Sequence, residues 1–369
     1  MMKYVAAIFI FLLCTAVGLF IWQINKSNPA LIYEHVKKQE ESGQAALVIQ
    51  RNGEVIVEVN PTKTLPLAST VKFIVAIAYA EAVADGLLDA GESVPIAKLQ
   101  NFYIPKTDGG AHQAWLDSLG KVNSIPLKEV ANGMMLYSSN ANTDYLIYKI
   151  GLENINNLIK KLGLSQHEEL YPLVSALYIP VQLIQERGIE KKQLAAALEK
   201  MDMEEYRKRA MDIHTNWLTQ SPSKEDIKHI QQYLTADVQK VWSDRLPRAT
   251  AAEYASLMAK LNSKNYFPPK VHANLDPITE QLMQNPQNQS WLRHAGQKGG
   301  STKFVLTKAM YATDKQENQT EIVLLLNELS FFEQIILSRN LNAFQLKVLN
   351  DPAFIKKMKK TIENRPPSD

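Results

Sequence analysis

The sequence predicts an α+β fold, with an antiparallel sheet formed from both ends of one domain packed with a helical middle region. Three observations carry that reading. Residues 45–49 and 55–59 are β-rich runs flanking Arg51-Asn52-Gly53, and Asn-Gly is the strongest short hairpin signal. Far down the chain a second antiparallel pair, residues 304–313 and 321–327, is joined by a polar stretch at 314–319. Between the two pairs nearly everything has helical periodicity, including residues 71–84, 127–136, 142–150 and 251–261, and residues 331–349 are helical again.

Taken in order, the chain opens on an apolar segment. From Tyr4 to Trp22 every residue is apolar or small, with Lys3 ahead and Lys26 behind. About 19 such residues, at about 1.5 Å each in a helix, match the hydrocarbon thickness of a bilayer. No convincing small-residue cleavage site follows, so residues 1–26 are expected to form an N-terminal transmembrane helix acting as an uncleaved anchor; the alternative is a signal cleaved on secretion. Residues 27–369 are then expected to work outside the cytoplasm, in a periplasm or at a cell surface. The single cysteine, Cys14, falls inside the apolar run behind Leu13, which speaks against a lipoprotein site and leaves the exported part without a thiol.

Residues 25–43 are polar and charged and read as a stalk or as the first helix of the domain. The length of 369 residues and 46% hydrophobic content exclude a disordered chain. A formal charge of +3 is too small to make a phosphate-binding surface the leading idea, and no nucleic-acid partner is expected. One region fits the plan less well. At about residues 185–245 the chain is charged and amphipathic, with helices expected at 189–213 and 225–242 around Ser221-Pro222-Ser223. It reads as a solvated helical insertion; a partner-binding subdomain is the alternative.

Three short segments carry the chemistry: Ser69-Thr70-Val71-Lys72, Ser138-Ser139-Asn140 and Lys298-Gly299-Gly300-Ser301. Alone, each is weak. In context, Ser69 opens an apolar helix and Lys72 lies one turn later on the same face, where a partly neutral amine can take the serine proton. Ser138 and Asn140 fall on a loop between two helices. Lys298 to Ser301 immediately precede the strand at 304–313; the glycines allow a ligand close approach, and the Ser301 amide is a candidate oxyanion donor.

Together and in this order, the segments resemble the penicillin-recognising serine hydrolases, and the chain order and helix-rich middle look most like class A β-lactamases. The resemblance spans roughly residues 45–343, apart from the inserted helices. It implies that Ser69 is the acylated nucleophile and Lys72 its proton acceptor or relay. Ser138 would pass a proton to the departing nitrogen, and Asn140 would bind the substrate's amide side chain. Lys298 would orient Ser138 and attract a substrate carboxylate, and Gly300 and Ser301 would line the substrate, with the amides of Ser69 and Ser301 as oxyanion hole. Asp144 matches a position that braces the neighbouring loop. The implied substrate is a small β-lactam or a D-alanyl peptide.

The departures from that pattern matter. Ser139 stands where Asp is usual and Gly299 where Thr or Ser is usual, changes expected to weaken loop bracing and one carboxylate contact. In the loop that should hold the deacylating Glu, the best match is Leu170-Tyr171-Pro172-Leu173, with Tyr171 in its place. A tyrosine with an ordinary pKa of about 10 is a poor general base. Glu168 and Glu169 lie nearby as candidate substitutes. Without a placed carboxylate, such an enzyme acylates readily and releases the acyl group slowly, as a penicillin-binding protein or D-alanyl-D-alanine carboxypeptidase would.

Other templates fail. No Gly-x-Ser-x-Gly elbow occurs, and His167-Glu168-Glu169-Leu170 lacks the second His of a zinc helix, so neither metal nor cofactor is expected. The remaining rival is a catalytically decayed relative that binds cell wall or a protein partner through the inserted helices.

Overall fold

A computed structural model describes residues 27–363. The expected membrane segment, residues 1–26, lies outside the described residues, and among those described no helix is long and apolar enough to cross a membrane.

The first helix, Ala30–Lys38, settles the reading of residues 25–43 in favour of a domain element: Ile32, Tyr33 and Val36 are buried, and the backbone N–H of Asn28 donates to Asn340 Oδ1 at 2.6 Å. The hairpin follows as β1 (Ala45–Arg51) and β2 (Glu54–Val59), with Asn52 and Gly53 both at positive φ in the turn. Short strands β3 (Thr64–Pro66), β4 (Ser93–Pro95), β5 (Ser124–Pro126) and β6 (Arg248–Thr250) pair as β3 with β6 and β4 with β5. Near the C-terminus come β7 (Leu292–Ser301), β8 (Leu306–Asp314) and β9 (Gln319–Leu326).

The main sheet is antiparallel throughout, in the order β2-β1-β9-β8-β7. Its central seam joins the two ends of the domain, from Ala45 opposite Leu326 to Arg51 opposite Thr320. Alternation along the strands divides the core. Ala46, Val48, Ala309, Tyr311, Val323 and Leu325 face the helical middle, whereas Leu47, Ile49, Met310, Ile322 and Leu324 face the terminal helices Ala30–Lys38 and Phe331–Asn350.

β7 corrects one expectation: Lys298 to Ser301 do not precede a strand as a turn but are the end of one. Its sequence, with three glycines and little apolar alternation, hides it. Packing demands two of those glycines, since a Cβ built on Gly296 would lie 2.4 Å from Tyr311 Cζ and one on Gly300 2.4 Å from the Ser69 nitrogen, whereas one on Gly299 would meet only ordinary contacts. Three helices also differ from expectation. The one at 189–213 is divided into Lys191–Gln193, Leu194–Lys200 and Met203–Thr219. The helix at 127–136 is α-helical only over Leu127–Asn132 and continues as a π-helical turn, Gly133–Tyr137. The helix at 225–242 breaks into Lys224–Tyr233 and Ala236–Asp244, because the Thr235 side chain caps the second by accepting from the Val238 N–H.

The charged stretch at 185–245 is packed rather than freely solvated. Leu194, Tyr206, Ile213, Ile230 and Val241 are buried in the same core as the helical middle. Just past its end the chain is tied back to the body, where the Glu168 N–H donates to Arg248 O and the Leu67 N–H donates to Pro247 O.

Candidate functional site

Ser69 sits in a 3₁₀ turn, Ala68–Val71, leading into the helix Lys72–Ala84. Ala68, just before it, has φ +45°, a left-handed conformation that costs a non-glycine residue of order 1 kcal/mol and is held by its surroundings. Pairing of β3 with β6 fixes the turn from one side. From the other, Thr307 Oγ1 on β8 donates to Leu67 O at 2.8 Å.

Lys72 is fully buried. Its Nζ lies 2.6 Å from Ser138 O, 2.8 Å from Asn140 Oδ1 and 3.2 Å from Ser138 Oγ. Ser138 O and Asn140 Oδ1 can only accept, so each takes an N–H bond of the amine, and the Ser138 hydroxyl is its third partner. Burial, with the charge of Lys298 nearby, pulls Lys72 well below the ordinary lysine range, against the opposing pull of Asp108 and Asp144.

Ser138 is delivered by the π-helical turn, which ends with Ser138 at φ +71°. Lys298 Nζ donates to Ser138 Oγ at 2.9 Å, so the hydroxyl bridges two lysines. The alternation of β7 puts Lys298 and Gly300 on the side of the nucleophile and Gly299 on the opposite face, beside Lys308 of β8. A Cβ on Gly300 would lie 2.4 Å from the Ser69 backbone nitrogen, and only glycine lets the strand pass there.

Burial and the charge of Lys308 lower Lys298 to about 7, and burial lowers Lys308 to about 8. The Lys308 ammonium has no hydrogen-bond acceptor among the described residues; its Nζ would be 3.6 Å from a Cβ on Gly299. Sequence reasoning missed Lys308. The available signal was a lysine in an otherwise apolar strand.

Ser139 corrects the expectation of weakened bracing. Its side chain caps the helix Asn140–Ile150, accepting from the Asn142 N–H at 3.1 Å, and lies 2.8 Å from His112 Nδ1. Asp144 accepts backbone N–H bonds from Leu173, Val174 and Ser175 and so holds the neighbouring loop, while burial pushes its carboxyl up to about 7.

The carboxylates expected as substitutes are elsewhere. Glu168 and Glu169 stand 4.0 Å from Arg207 on the helix Met203–Thr219, and neither lines the cleft. Tyr171 is fully buried, donates to Arg245 O at 2.8 Å and packs edge-on against Tyr206. Among the described residues the one carboxylate lining the cleft is Asp108, whose two oxygens accept the N–H groups of Gly110 and His112.

The cleft of about 1150 Å³ is lined by Ser69, Ser138, Asn140, Gly299, Gly300 and Ser301 together with residues of the 185–245 stretch and of the helix Phe331–Asn350. This arrangement, a serine one turn before a buried lysine, a second serine between two lysines and an edge strand against the first serine's backbone, agrees with a family model. The model described as the beta-lactamase enzyme family matches residues 30–299. The chain belongs to that family.

Solved structures agree in fold. A class A beta-lactamase from Bacteroides cellulosilyticus is 16% identical with TM-score 0.51, covering 88% of this chain and 99% of its own. A beta-lactamase from Sphaerobacter thermophilus is 16% identical with TM-score 0.51, covering 89% and 100%. A variant of PBP-A, solved as an acyl-enzyme complex with penicillin G, is 15% identical with TM-score 0.50, covering 85% and 95%. A search of curated proteins finds no match. Membership places the chain among the beta-lactamase-like serine hydrolases. Among the described residues no group of His, Cys, Asp and Glu is arranged to hold a metal ion.

Proposed function

We propose that the protein cleaves a cyclic or peptide amide, a β-lactam or a D-alanyl peptide, through an acyl-enzyme on Ser69, and that it releases the acyl group slowly. The observation that carries this reading is the buried Lys72, held by Ser138 O and Asn140 Oδ1 and pulled by burial well below the ordinary lysine range. Lys72 takes the Ser69 proton as Oγ attacks the carbonyl, and the amides of Ser69 and Ser301 receive the developing oxyanion. The bridge from Lys72 through Ser138 Oγ to Lys298 then returns a proton to the leaving nitrogen. Lys298 supplies positive charge for a substrate carboxylate, with Lys308 behind it on the opposite face of the sheet.

Deacylation needs a water activated by a base. With Tyr171 sealed in the core and Glu168 and Glu169 outside the cleft, that half-reaction lacks a carboxylate from the loop that carries them. The oxygens of Asp108, the cleft's one carboxylate among the described residues, are engaged by the N–H groups of Gly110 and His112. This favours a penicillin-binding protein or D-alanyl-D-alanine carboxypeptidase over a fast beta-lactamase. The proposal extends to one catalytic domain over residues 27–369, tethered outside the cytoplasm by residues 1–26.

A labelled penicillin should attach covalently to the wild-type protein, adding its mass, and Ser69→Ala should abolish the adduct. No adduct on the wild type would sink the reading for β-lactams and favour a decayed, non-catalytic relative. Turnover of a chromogenic cephalosporin separates a beta-lactamase from a peptidase.

A further inference from the structure

The helices Lys224–Tyr233 and Ala236–Asp244 reach the cleft, and nothing in the proposed chemistry uses them. Ile230, Val238 and Val241 anchor them in the core, so their exposed faces are fixed in place. Between the helices, Leu234 is held at the turn: its N–H donates to Ile230 O, and its carbonyl accepts from Gln239 Nε2 at 2.6 Å. Leu234, Trp242 and Leu246 line the cleft together with Leu173 and Leu177 of the preceding loop. Leu234 and Trp242 are only half-buried, which leaves part of each apolar surface for a ligand.

The same helices close this end of the cleft. Gln231 Nε2 donates to Pro105 O at 2.9 Å, reaching the segment that forms the facing wall at Lys106 to Gly110. A second tie lies behind it, where Asn101 Nδ2 donates to Trp217 O and Ser221 Oγ donates to Asn101 Oδ1. The other end, past Thr302 and Lys303, runs out over Phe331, which is 71% exposed. The helix Ala236–Asp244 also borders the turn between β7 and β8, where Lys240 Nζ lies 5.7 Å from the Phe304 ring centroid. The cleft is therefore closed where Leu234, Trp242 and Leu246 face Lys106 to Gly110, and it opens beyond Lys303 over Phe331.

We infer that Leu234 and Trp242 form a closed specificity pocket for the acyl side of the substrate, taking an apolar, preferentially aromatic substituent of limited length. The inference rests on the proposed orientation, in which Asn140 holds the acyl-side amide and Lys298 lies on the leaving-group side. An apolar group entering this pocket is removed from water against leucine and indole surface, whereas a small substituent leaves the pocket wet. Selectivity of this kind between apolar groups runs to about 10- to 200-fold.

The test uses two penams identical except that the 6-amino group carries phenylacetyl in one and acetyl in the other. Wild-type protein should acylate at least about 10-fold faster with the phenylacetyl compound. In Leu234→Ala/Trp242→Ala that ratio should fall towards one while the acetyl rate is retained, which also reports that the variant is folded. Leu234→Trp, which fills the pocket, should slow the phenylacetyl compound alone. A wild-type ratio near one, or one unchanged in these variants, overturns the pocket. Binding to Ser69→Ala, followed by tryptophan fluorescence, separates this from the chemistry. If the wild type forms no adduct, tighter binding of the phenylacetyl compound still supports the pocket, and equal binding of the two overturns it.

Discussion

The backbone nitrogen of Ser69 and the α-carbon of Gly300 approach so closely that a methyl group on Gly300 would stand 2.4 Å from that nitrogen. Real Cβ atoms do not tolerate this distance from backbone, so Gly300→Ala must push the edge strand away from the nucleophile turn. The same methyl would lie 2.6 Å from Thr307 Oγ1, the group that ties the turn to β8. Acylation by penicillin should fall by about 10²-fold, the scale for loss of one oxyanion donor. Stopped-flow acylation rates check this, and a rate within threefold of wild type would mean that β7 does not set the oxyanion geometry.

Lys298, with Lys308 behind it on the other face of the sheet, predicts a pH-dependent grip on a substrate carboxylate. Burial lowers them to about 7 and about 8, and a lysine is charged only below its pKa. Both charges are present at pH 6 and are progressively lost as the pH rises through 7 and 8. Affinity of Ser69→Ala for penicillin G should therefore drop roughly fivefold between pH 6 and 9, since one partly screened charge contact is worth about 1 kcal/mol. The methyl ester, which has no carboxylate, should bind with little change. Lys308→Met removes a neighbouring charge that lowers Lys298, so it should move the drop to higher pH; a flat profile for penicillin G would exclude the role of Lys298.

What could be read from the sequence follows from what local signals encode. The Asn52-Gly53 turn and the β-branched runs around it announce β1 and β2 because turn chemistry and alternation are local. The seam of β1 with β9 was legible for a different reason: two hairpins, one at each end of a helical stretch, have few other places to pair. β7 was not legible, because Gly296 and Gly300 answer to Tyr311 and Ser69, contacts far away in sequence. Lys72, Ser138, Asn140 and Lys298 were found through their motifs and do converge. Lys308, Thr307 and His112 belong to no motif and emerge only from the packing of strands and helices around the site. The reach of residues 224–246 into the cleft is likewise a tertiary fact, invisible in an amphipathic pattern that suits a solvated surface equally well.

Tyr171 should prove a packing residue. Its hydroxyl serves the carbonyl of Arg245, and burial with Tyr206 alongside raises its pKa well above the ordinary tyrosine value, so it is a protonated donor and no base. Tyr171→Phe removes one buried hydrogen bond and should cost about 1–2 kcal/mol of stability by chemical denaturation. The lifetime of the penicillin adduct, followed by intact mass, should not change. Glu168→Gln and Glu169→Gln should leave it unchanged as well, because neither carboxylate lines the cleft. A tenfold longer lifetime in any of the three would identify a deacylating group that the geometry does not assign.

Ser139 is expected to matter despite its departure from the usual aspartate. It caps the helix Asn140–Ile150 and lies within hydrogen-bond distance of His112 Nδ1 in a fully buried site. Burial lowers His112 to about 4, so at neutral pH the imidazole is uncharged and its bond to the serine hydroxyl carries no charge penalty. Ser139→Ala removes the cap, worth about 1 kcal/mol, and leaves a buried ring nitrogen without its partner, worth a further 1–3 kcal/mol. Ser138 and Asn140 flank the lost side chain and both bond Lys72, so looseness there reaches the proton acceptor directly. Chemical denaturation should show a loss of about 2–4 kcal/mol, with acylation slowed in the folded fraction. Ser139→Thr, which keeps the hydroxyl, should restore much of both; equal defects in the two variants would show that the space at this position, rather than the hydroxyl, holds the loop.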